Sequence, residues 1–316
     1  MRFDYLIDKI LKEDFKKEPF KHIYIEDFFE EEDFNSIVNN PEITLEKCSS
    51  DEELFNKMFD NNYKVISFPG CTTDYKEYIK KHSANEPLTS HTATESAGVV
   101  LRLYPKNKTL IELSEFLLSK DFNNAIAEKF GLEYENCDID GGIQKYLDGY
   151  EISPHPDIRL KAATFMVNIN PDQKSENLNH HTHYLKFKPE FEYVKNFWAG
   201  NPNADRQWVP WDWCTTEFLQ KKNNSIVIFS PDNDTIHGVK TNYDHLSTQR
   251  TQLYGNLWYK STNTTYSPSW EQLLIKGFSS KKHNHPNKTL ETFKRLLKKS
   301  VEIFSKKDLN IGDRKH

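Results

Sequence analysis

The chain is short of cysteine and of long apolar runs, and each shortage excludes a class of protein. Only four of its 316 residues are cysteine and none of them forms a Cys-x-x-Cys pair, so neither a disulfide framework nor a thiolate zinc site is indicated. No stretch approaches the roughly 18 apolar residues that a membrane span needs. The N-terminal residues lack the apolar core of a signal peptide. These features predict a soluble, cytoplasmic protein without a membrane-spanning segment.

An excess of positive charge is also missing. The formal net charge is −5, so the chain has no general attraction for phosphate backbones or anionic lipid surfaces. Nucleic acid and membranes are therefore not predicted partners. Positive charge is concentrated only near the end, where residues 281–316 contain eleven Lys or Arg against four Asp or Glu. Apolar residues at helical spacing predict a basic, helical C-terminal extension over residues 271–316.

Aromatic residues are plentiful, with 21 Phe, 15 Tyr and 6 Trp. From about residue 96, short β-branched and aromatic runs alternate with turn signals, which favours an antiparallel sandwich or barrel over a parallel βαβ sheet. We therefore expect a helical support region over residues 1–95 and a β core over residues 96–270. A polar insertion at residues 174–224, which carries four of the tryptophans, is expected to form a lid or binding loop, or an ordered flap over the sheet edge.

The stretch "YLDGYEISPHPDIRLKAATFMVNINP" places His155 and Asp157 one residue apart in a segment with strand character. Residues i and i+2 of a strand point to the same face, so an imidazole and a carboxylate would lie side by side and could chelate a metal. A second histidine, His237, follows a buried-looking strand and a turn. Two histidines and one carboxylate leave three octahedral positions open, which suits Fe(II) that must also hold a cosubstrate and O2.

A cation for the cosubstrate is found at the start of "RTQLYGNLWY". Arg250, Gln252 and Tyr254 share one parity of this predicted strand, and Leu253 and Leu257 share the other. This alternation predicts a polar pocket face and an apolar core face. The planar fork of arginine binds a carboxylate in bidentate fashion, so Arg250 suits the far carboxylate of a metal-chelating 2-oxo acid.

Together these residues resemble the Fe(II)- and 2-oxoglutarate-dependent dioxygenases, in particular the branch similar to prolyl hydroxylases. The resemblance rests on "HPD" at 155–157, on "IHGV" around His237, on Arg250 thirteen residues later and on the opening "HIYIEDFFEEEDFNSIV". It implies a double-stranded β-helix core, the jelly-roll or cupin-like fold. It also implies that His155, Asp157 and His237 are the ligands of Fe(II).

The same resemblance implies which residues bind 2-oxoglutarate. Arg250 would hold its far carboxylate, and Tyr146 and Asn168 would hydrogen-bond the cosubstrate. Two spacings depart from the family pattern. The gap from Asp157 to His237 is longer than usual, which the tryptophan-rich insertion explains, and the spacing to Arg250 is wide, which leaves Lys240 as an alternative carboxylate binder.

The implied activity is an Fe(II)/2-oxoglutarate-dependent oxygenase that uses O2 to oxidise a C–H bond and releases succinate and CO2. The preferred substrate is a small, polar, amino-acid-derived molecule, hydroxylated or else cyclised or desaturated. "WVPWDWC" and "TQRTQLYGNLWY" also resemble marine algal and bacterial oxygenases, including those that form kainoids by oxidative cyclisation. Candidate substrate contacts are Arg159, Trp211, Trp213 and Arg102, with Arg206 as a further cation.

Other readings stay open at the level of sequence. The enzyme could hydroxylate a protein side chain instead, or the chain could be a non-catalytic cupin-like binding protein. A zinc hydrolase could use the same three ligands. Among the remaining histidines, the "HHTH" cluster at 180–183 has no carboxylate or thiolate at ligand spacing, and His245 is the nearest competitor for a place at the site.

Overall fold

Two antiparallel β-sheets form the centre of the protein in a computed structural model, which describes residues 2–67, 71–86 and 98–266. The eleven strands of this part of the chain are β1 (Ile23–Ile25), β2 (Tyr63–Val65), β3 (Val100–Leu103), β4 (Cys137–Tyr146), β5 (Glu151–His155), β6 (Lys161–Asn168), β7 (Thr182–Phe187), β8 (Cys214–Leu219), β9 (Ile226–Phe229), β10 (His237–Lys240) and β11 (Arg250–Tyr259). One sheet has the order β1-β9-β6-β11-β4-β3-β2 and the other the order β5-β10-β7-β8. Within each sheet, all pairings between neighbouring strands are antiparallel. The predicted fold class, mainly β with a jelly-roll core and flanking helices, is confirmed.

Six of the seven described helices pack on the outer face of the seven-stranded sheet, and the seventh lies in the connection between two strands of the four-stranded sheet. Within the described ranges they are α1 (Tyr5–Lys12), α2 (Glu31–Val38), α3 (Asp51–Asp60), α4 (Tyr75–Ser83), α5 (Lys108–Leu117), α6 (Lys120–Phe130) and α7 (Tyr193–Gly200). The side chain of Ser50 caps α3 and that of Ser119 caps α6. None of the helices in this part of the chain combines the length and apolarity needed to cross a bilayer.

The main core lies between these helices and the large sheet. Phe122 of α6 meets Phe165 of β6 edge to face, with ring centroids 5.3 Å apart. Leu253 and Leu257 of β11 are fully buried in the same core. Because side chains alternate along a strand, the opposite parity of β11 faces inward, between the two sheets. The candidate site lies on that inner face.

Both the N-terminal region and the predicted insertion contribute strands. Residues 1–95 supply β1 and β2, which are the two edge strands of the seven-stranded sheet. Residues 174–224 supply β7 and β8 as well as α7. The tryptophan-rich segment therefore lies between two strands of the four-stranded sheet, in a connection rather than in an appendage. The C-terminal extension predicted over residues 271–316 lies outside the described residues.

Gly255 lies where β11 crosses the ring of Phe165, and a Cβ at this position would overlap that ring. We predict that Gly255→Ala lowers the free energy of unfolding by about 1–3 kcal/mol, because Phe165 is enclosed by Phe122 and cannot move aside freely. Gly200→Ala is the matched control, since a Cβ there meets no atom within 4 Å. Urea unfolding of both variants measures the difference. Equal stability of the two variants would contradict this packing.

Candidate active site

Two neighbouring strands bring the predicted histidine ligands together. β5 and β10 pair antiparallel with His155 directly opposite His237, and the two ring centroids are 4.3 Å apart. β5 ends at His155, and the chain then turns to Asp157, whose φ is +59°. A turn therefore presents Asp157 to the site. The sequence had predicted instead that strand alternation would do so. The ligand atoms of all three residues lie within 4.8 Å of one another.

Both imidazoles are oriented by backbone carbonyls. His155 Nδ1 lies 2.8 Å from the carbonyl oxygen of Ser153, and His237 Nδ1 lies 3.0 Å from that of Thr235. A carbonyl only accepts, so each ring donates from Nδ1 and presents the lone pair of Nε2 to the centre. Burial, together with the neighbouring His155, lowers the pKa of His237 to about 3. This ring is therefore neutral near pH 7, as a metal ligand must be.

The carboxylate of Asp157 is held on both oxygens. Lys161 Nζ lies 2.8 Å from Oδ1, and the hydroxyl of Thr164 donates to Oδ2 over 2.8 Å. Arg206 Nε donates to the main-chain oxygen of Asp157 over 3.0 Å, which helps to fix its left-handed backbone. Burial opposes ionisation, but Lys161 and the histidines hold the pKa of Asp157 well below its usual value.

These three side chains fit a metal ion. His155 Nε2 is 3.4 Å from Asp157 Oδ1, and His237 Nε2 is 3.9 Å from Asp157 Oδ2. Ligands about 2.1 Å from an octahedral cation are about 3 Å apart when adjacent, so a small contraction would complete the site. Two imidazoles and one carboxylate on one side of a cation suit Fe(II) and leave the opposite side open.

The open side faces a cavity of about 250 Å³. Its described lining consists of Tyr146, Tyr150, Ile152, His155, Asp157, Ile158, Lys161, Met166, Thr182, Arg206, Gln207, Trp208, His237, Gly238, Val239, Arg250, Gln252, Tyr254 and Trp258. Ile158 is 39% exposed and marks the mouth of the cavity. The cavity is a mainly apolar and aromatic pocket with a few charged groups, as small-molecule sites usually are.

Arg250 supplies a buried cation to the inner part of this cavity. Its Nη2 donates to the hydroxyl of Thr182 over 2.9 Å, and its guanidinium carbon lies 4.4 Å from the ring centre of Tyr146. Its Nη1 is buried and has no hydrogen-bond partner among the described residues. No carboxylate of the described chain forms an ion pair with it. A buried guanidinium with a free donor fits the far carboxylate of 2-oxoglutarate.

Of the two other residues predicted to bind the cosubstrate, one lines the cavity and the other is not among its described lining residues. Tyr146 lines the cavity and donates its hydroxyl to Gln144 Oε1 over 2.6 Å. Asn168 is not among the described lining residues, because its amide nitrogen donates to main-chain oxygens of the loop before β9, including that of Gln220. Its Oδ1 accepts from Gln252 over 2.8 Å. Gln252 is the residue of this pair that lines the cavity.

The two arginines predicted to contact substrate also lie outside the described lining. Arg102 forms an ion pair with Asp140 at 2.9 Å. Arg159 donates to the main-chain oxygens of Ala204 and Trp198. The prediction for Arg159 assumed that strand alternation continued from His155, but the strand ends there and the left-handed residue that follows breaks the alternation.

Some tryptophans of the connection between β7 and β8 make structural contacts, and one lines the cavity. Trp211 donates to Glu151 Oε1 over 2.8 Å, and Trp213 stacks on Phe191 with centroids 4.7 Å apart. Neither is among the described lining residues. Trp208 lines the cavity in their place, next to Arg206 in the chain. The sequence offered no signal that separates Trp208 from its neighbours, because all of them lie in one irregular segment.

Lys161 is the functional candidate that sequence reasoning missed. It follows Asp157 by four residues, begins β6 and contacts both the Asp157 carboxylate and the Tyr254 hydroxyl, at 2.8 and 2.9 Å. Its only signal in the sequence was a lysine placed directly before the apolar run "AATFMV". Lysine is rarely buried without a partner, so this position indicated an anion nearby.

A second His/Asp group in the described residues consists of Asp51, His82 and His245. Its contacts are hydrogen bonds: Asp51 Oδ1 lies 2.7 Å from His245 Nε2, and Asp51 Oδ2 lies 2.8 Å from His82 Nδ1. The amide of Asp148 donates to His245 Nδ1 over 3.3 Å, which puts the proton of His245 on the nitrogen that faces Asp51. His245 is therefore engaged elsewhere and does not join the triad.

The "HHTH" histidines are engaged separately as well. His180 and His181 bond to main-chain oxygens of the preceding segment, and His183 bonds to the hydroxyl of Thr216 over 3.0 Å. They form no metal-ligand group with a carboxylate or thiolate in the part of the chain that is described.

Comparison with known proteins gives structural similarities only. No protein-family model matches the chain, and no curated protein sequence matches it. It is similar to a prolyl hydroxylase from Trichoplax adhaerens, solved with a fragment of a hypoxia-inducible-factor oxygen degradation domain. The identity is 10%, the match covers 89% of this chain and 95% of that chain, and the TM-score is 0.40. It is also similar to a Pseudomonas putida prolyl-4-hydroxylase, with 9% identity over 82% and 100% of the two chains and a TM-score of 0.37.

A third similar structure is an oxidoreductase of the 2OG-Fe(II) oxygenase family from Burkholderia pseudomallei. Here the identity is 11%, the coverage is 70% of this chain and 100% of that chain, and the TM-score is 0.29. Two of these three structures are named as prolyl hydroxylases and the third as a member of the 2OG-Fe(II) oxygenase family. Identities this low leave the chemistry to be inferred from the residues of the site itself.

The Asp51 group generates a prediction about pH. Hydrogen bonds to Asp148 and Asp51 raise the pKa of His82 to about 9, from the ordinary 6.5. A raised folded-state pKa contributes stability that is complete below pH 6.5 and is lost as pH rises through 9. We predict that the free energy of unfolding of the wild type is roughly 2 kcal/mol higher than that of His82→Gln at pH 6, and that this difference disappears by pH 10. Urea unfolding across this range measures it, and a gap independent of pH would refute the ion-pair account.

Proposed function

We propose that this protein is an Fe(II)- and 2-oxoglutarate-dependent oxygenase. One observation carries the proposal: a group of two imidazoles and one carboxylate shares a cavity with Arg250, a buried guanidinium with a donor that no described residue accepts. A metal ion and an anion are the two components that such a cavity requires, and 2-oxoglutarate connects them. Its keto acid end is a chelator for the metal, and its far carboxylate is a partner for arginine.

Each residue has a defined task in this proposal. His155, Asp157 and His237 hold Fe(II), and their orientation is set by Ser153, by Thr235 and by the clamp on Asp157. Arg250 and Thr182 bind the far carboxylate of 2-oxoglutarate, while the ring of Tyr146 packs against the guanidinium. When bound, Fe(II) and 2-oxoglutarate supply the oxidative chemistry, in which O2 is consumed, succinate and CO2 are released and a substrate C–H bond is oxidised.

The substrate we propose is a small, polar, amino-acid-derived molecule. A cavity of about 250 Å³ that also holds the cosubstrate leaves room for a compact group near the metal. Trp208 and Trp258 supply apolar walls, and Arg206 supplies a cation. Hydroxylation is the default outcome, and desaturation or ring closure of the kainoid type would require the same residues. The substrate decides between these outcomes by what its carbon radical meets first.

A zinc hydrolase with the same ligands is less well supported. Such an enzyme needs a general base beside the metal-bound water. Asp157 is the only Asp or Glu among the described residues that line the cavity, and it is itself a proposed ligand.

The triad generates a prediction about metal retention. His237→Ala and Asp157→Ala are expected to bind no stoichiometric iron and to release no succinate above background, because two ligands cannot close the site. His183→Ala is the matched control, since His183 lies on the neighbouring strand and its ring hydrogen-bonds to the hydroxyl of Thr216. Anaerobic loading followed by metal analysis and succinate assay measures both quantities. Full iron content and turnover in either ligand variant would contradict the assignment.

Arg250 generates a separate prediction about the cosubstrate. Arg250→Leu is expected to weaken 2-oxoglutarate binding by at least about 100-fold while iron is retained, because a buried carboxylate loses its charged partner. Lys240→Met is the control, since this lysine is more than half exposed and pairs with Glu151. The absorption band that appears when 2-oxoglutarate chelates Fe(II) under anaerobic conditions reports the affinity. An unchanged affinity in Arg250→Leu, or a loss in Lys240→Met, would overturn this role.

A further inference from the structure

Lys161 is a buried cation next to the metal ligands, and its contacts leave it incompletely paired. The residue is 9% exposed and lines the cavity. Its ammonium bonds to Asp157 Oδ1 and to the hydroxyl of Tyr254, at 2.8 and 2.9 Å, and lies 5.4 Å from the ring centre of Trp258. An ammonium has three donors, so one remains beyond these two bonds within the described structure.

The pairing of Lys161 weakens further when the proposed metal is present. Its carboxylate partner among the described residues, Asp157, is then shared with a divalent cation. The other partner, Tyr254, is a neutral phenol because burial raises its pKa. The negative charge of Asp157 then compensates both the metal ion and the ammonium of Lys161, so less of it compensates the ammonium. Lys161 needs a second anion once the site is loaded.

Arg206 is a second cation on the same side of the site. It is 5% exposed and lines the cavity with Trp208 and Ile158. Its side chain donates to the main-chain oxygens of Asp157 and Ile158, over 3.0 and 3.4 Å. No carboxylate side chain in the described part of the chain lies within ion-pair distance of its guanidinium. Its hydrogen-bond acceptors are neutral, and the carboxylates of Asp232 and Asp205 act on its charge only from beyond ion-pair distance.

The charges of the cavity do not balance without a further anion. The described residues that line it include three cations, Lys161, Arg206 and Arg250, and one carboxylate, Asp157. The charges of a divalent metal and of the 2-oxoglutarate dianion cancel each other, so the loaded cavity retains a net charge of +2. Arg250 is satisfied by the cosubstrate in this state. The surplus therefore lies at Lys161 and Arg206.

We propose that Lys161 and Arg206 form an anion subsite, and that the substrate of this oxygenase carries a carboxylate that binds there. This inference rests on the proposed function. The carboxylate of the substrate supplies the missing charge, and its apolar part lies along Trp208 and Trp258. Lys161 is in this account a specificity-determining residue: it selects small organic acids over their neutral or amine analogues.

A binding experiment with matched probes tests the subsite. The protein is loaded with Mn(II), which does not support turnover, and with 2-oxoglutarate. It is then titrated calorimetrically with small carboxylic acids, from butyrate to 3-phenylpropionate, and with their primary amides. The acids are expected to bind at least about tenfold more tightly than the amides in the wild type, because only they pair with the ammonium. Equal binding of acids and amides, or no binding of any acid, would overturn the subsite.

Variants connect the preference to the two cations. Lys161→Met is expected to reduce the acid-to-amide ratio to near one, and Lys161→Arg to restore part of it. Lys240→Met, a removal of charge outside the cavity, should leave the ratio unchanged. If Lys161→Met fails to fold or to hold Mn(II), as measured by the signal of free Mn(II) in electron paramagnetic resonance, Arg206→Leu takes its place. A preference for acids that survives in Lys161→Met or in its substitute refutes the assignment.

The same samples separate this inference from the function on which it rests. Binding of 2-oxoglutarate to the Mn(II) protein is measured before any probe is added. If 2-oxoglutarate does not bind, the proposed oxygenase function itself fails. If it binds and acids and amides remain indistinguishable, only the anion subsite fails.

Discussion

The pairing of His155 with His237 across β5 and β10 is the constraint on which the rest of the site depends. Their residue numbers are far apart, yet the antiparallel ladder places them directly opposite one another. A shift of one residue in this register would turn one imidazole to the other face of the sheet. Both rings then depend on a carbonyl two residues earlier in their own segment, which fixes the protonated nitrogen. Sheet register and local backbone together determine the direction of the two lone pairs.

Buried charge explains the remaining features of the cavity. Asp157 is deeply buried and is tolerated because Lys161 and Thr164 hold its two oxygens. Arg250 is just as deeply buried but lacks a carboxylate among the described residues, so its free donor indicates a ligand and not a structural pair. The Asp51 and His82 group shows the opposite case, in which every charge finds a partner and no ligand is required. The contrast separates a structural cluster from a candidate active site.

The sequence predicted those parts of the fold and site that depend on local pattern. Strand alternation along β11 placed Arg250 and Gln252 toward the cavity and Leu253 toward the core, as found. Alternation failed at Arg159, because the positive φ of Asp157 ends the strand before that residue. The antiparallel β class followed from short strands with turn signals, whereas the jelly-roll core was implied by the family resemblance; the fold class is confirmed.

Features that depend on contacts between residues far apart in the chain could not be predicted from the sequence. Whether Trp208 or Trp211 lines the cavity is decided by where the connection between β7 and β8 crosses the sheet, and no periodicity records that path. Lys161 became a candidate only when its contact with Tyr254, 93 residues later, was known. The partner of His245 lies 194 residues away, so its absence from the triad had no local signal.

Anomalous diffraction from crystals grown with Mn(II) and 2-oxoglutarate tests the central claim most directly. The account predicts one strong peak about 2.1 Å from Nε2 of His155, Nε2 of His237 and an oxygen of Asp157, with the far carboxylate of 2-oxoglutarate on the guanidinium of Arg250. A peak at the Asp51, His82 and His245 group instead, or a 2-oxoglutarate carboxylate bound away from Arg250, would contradict it.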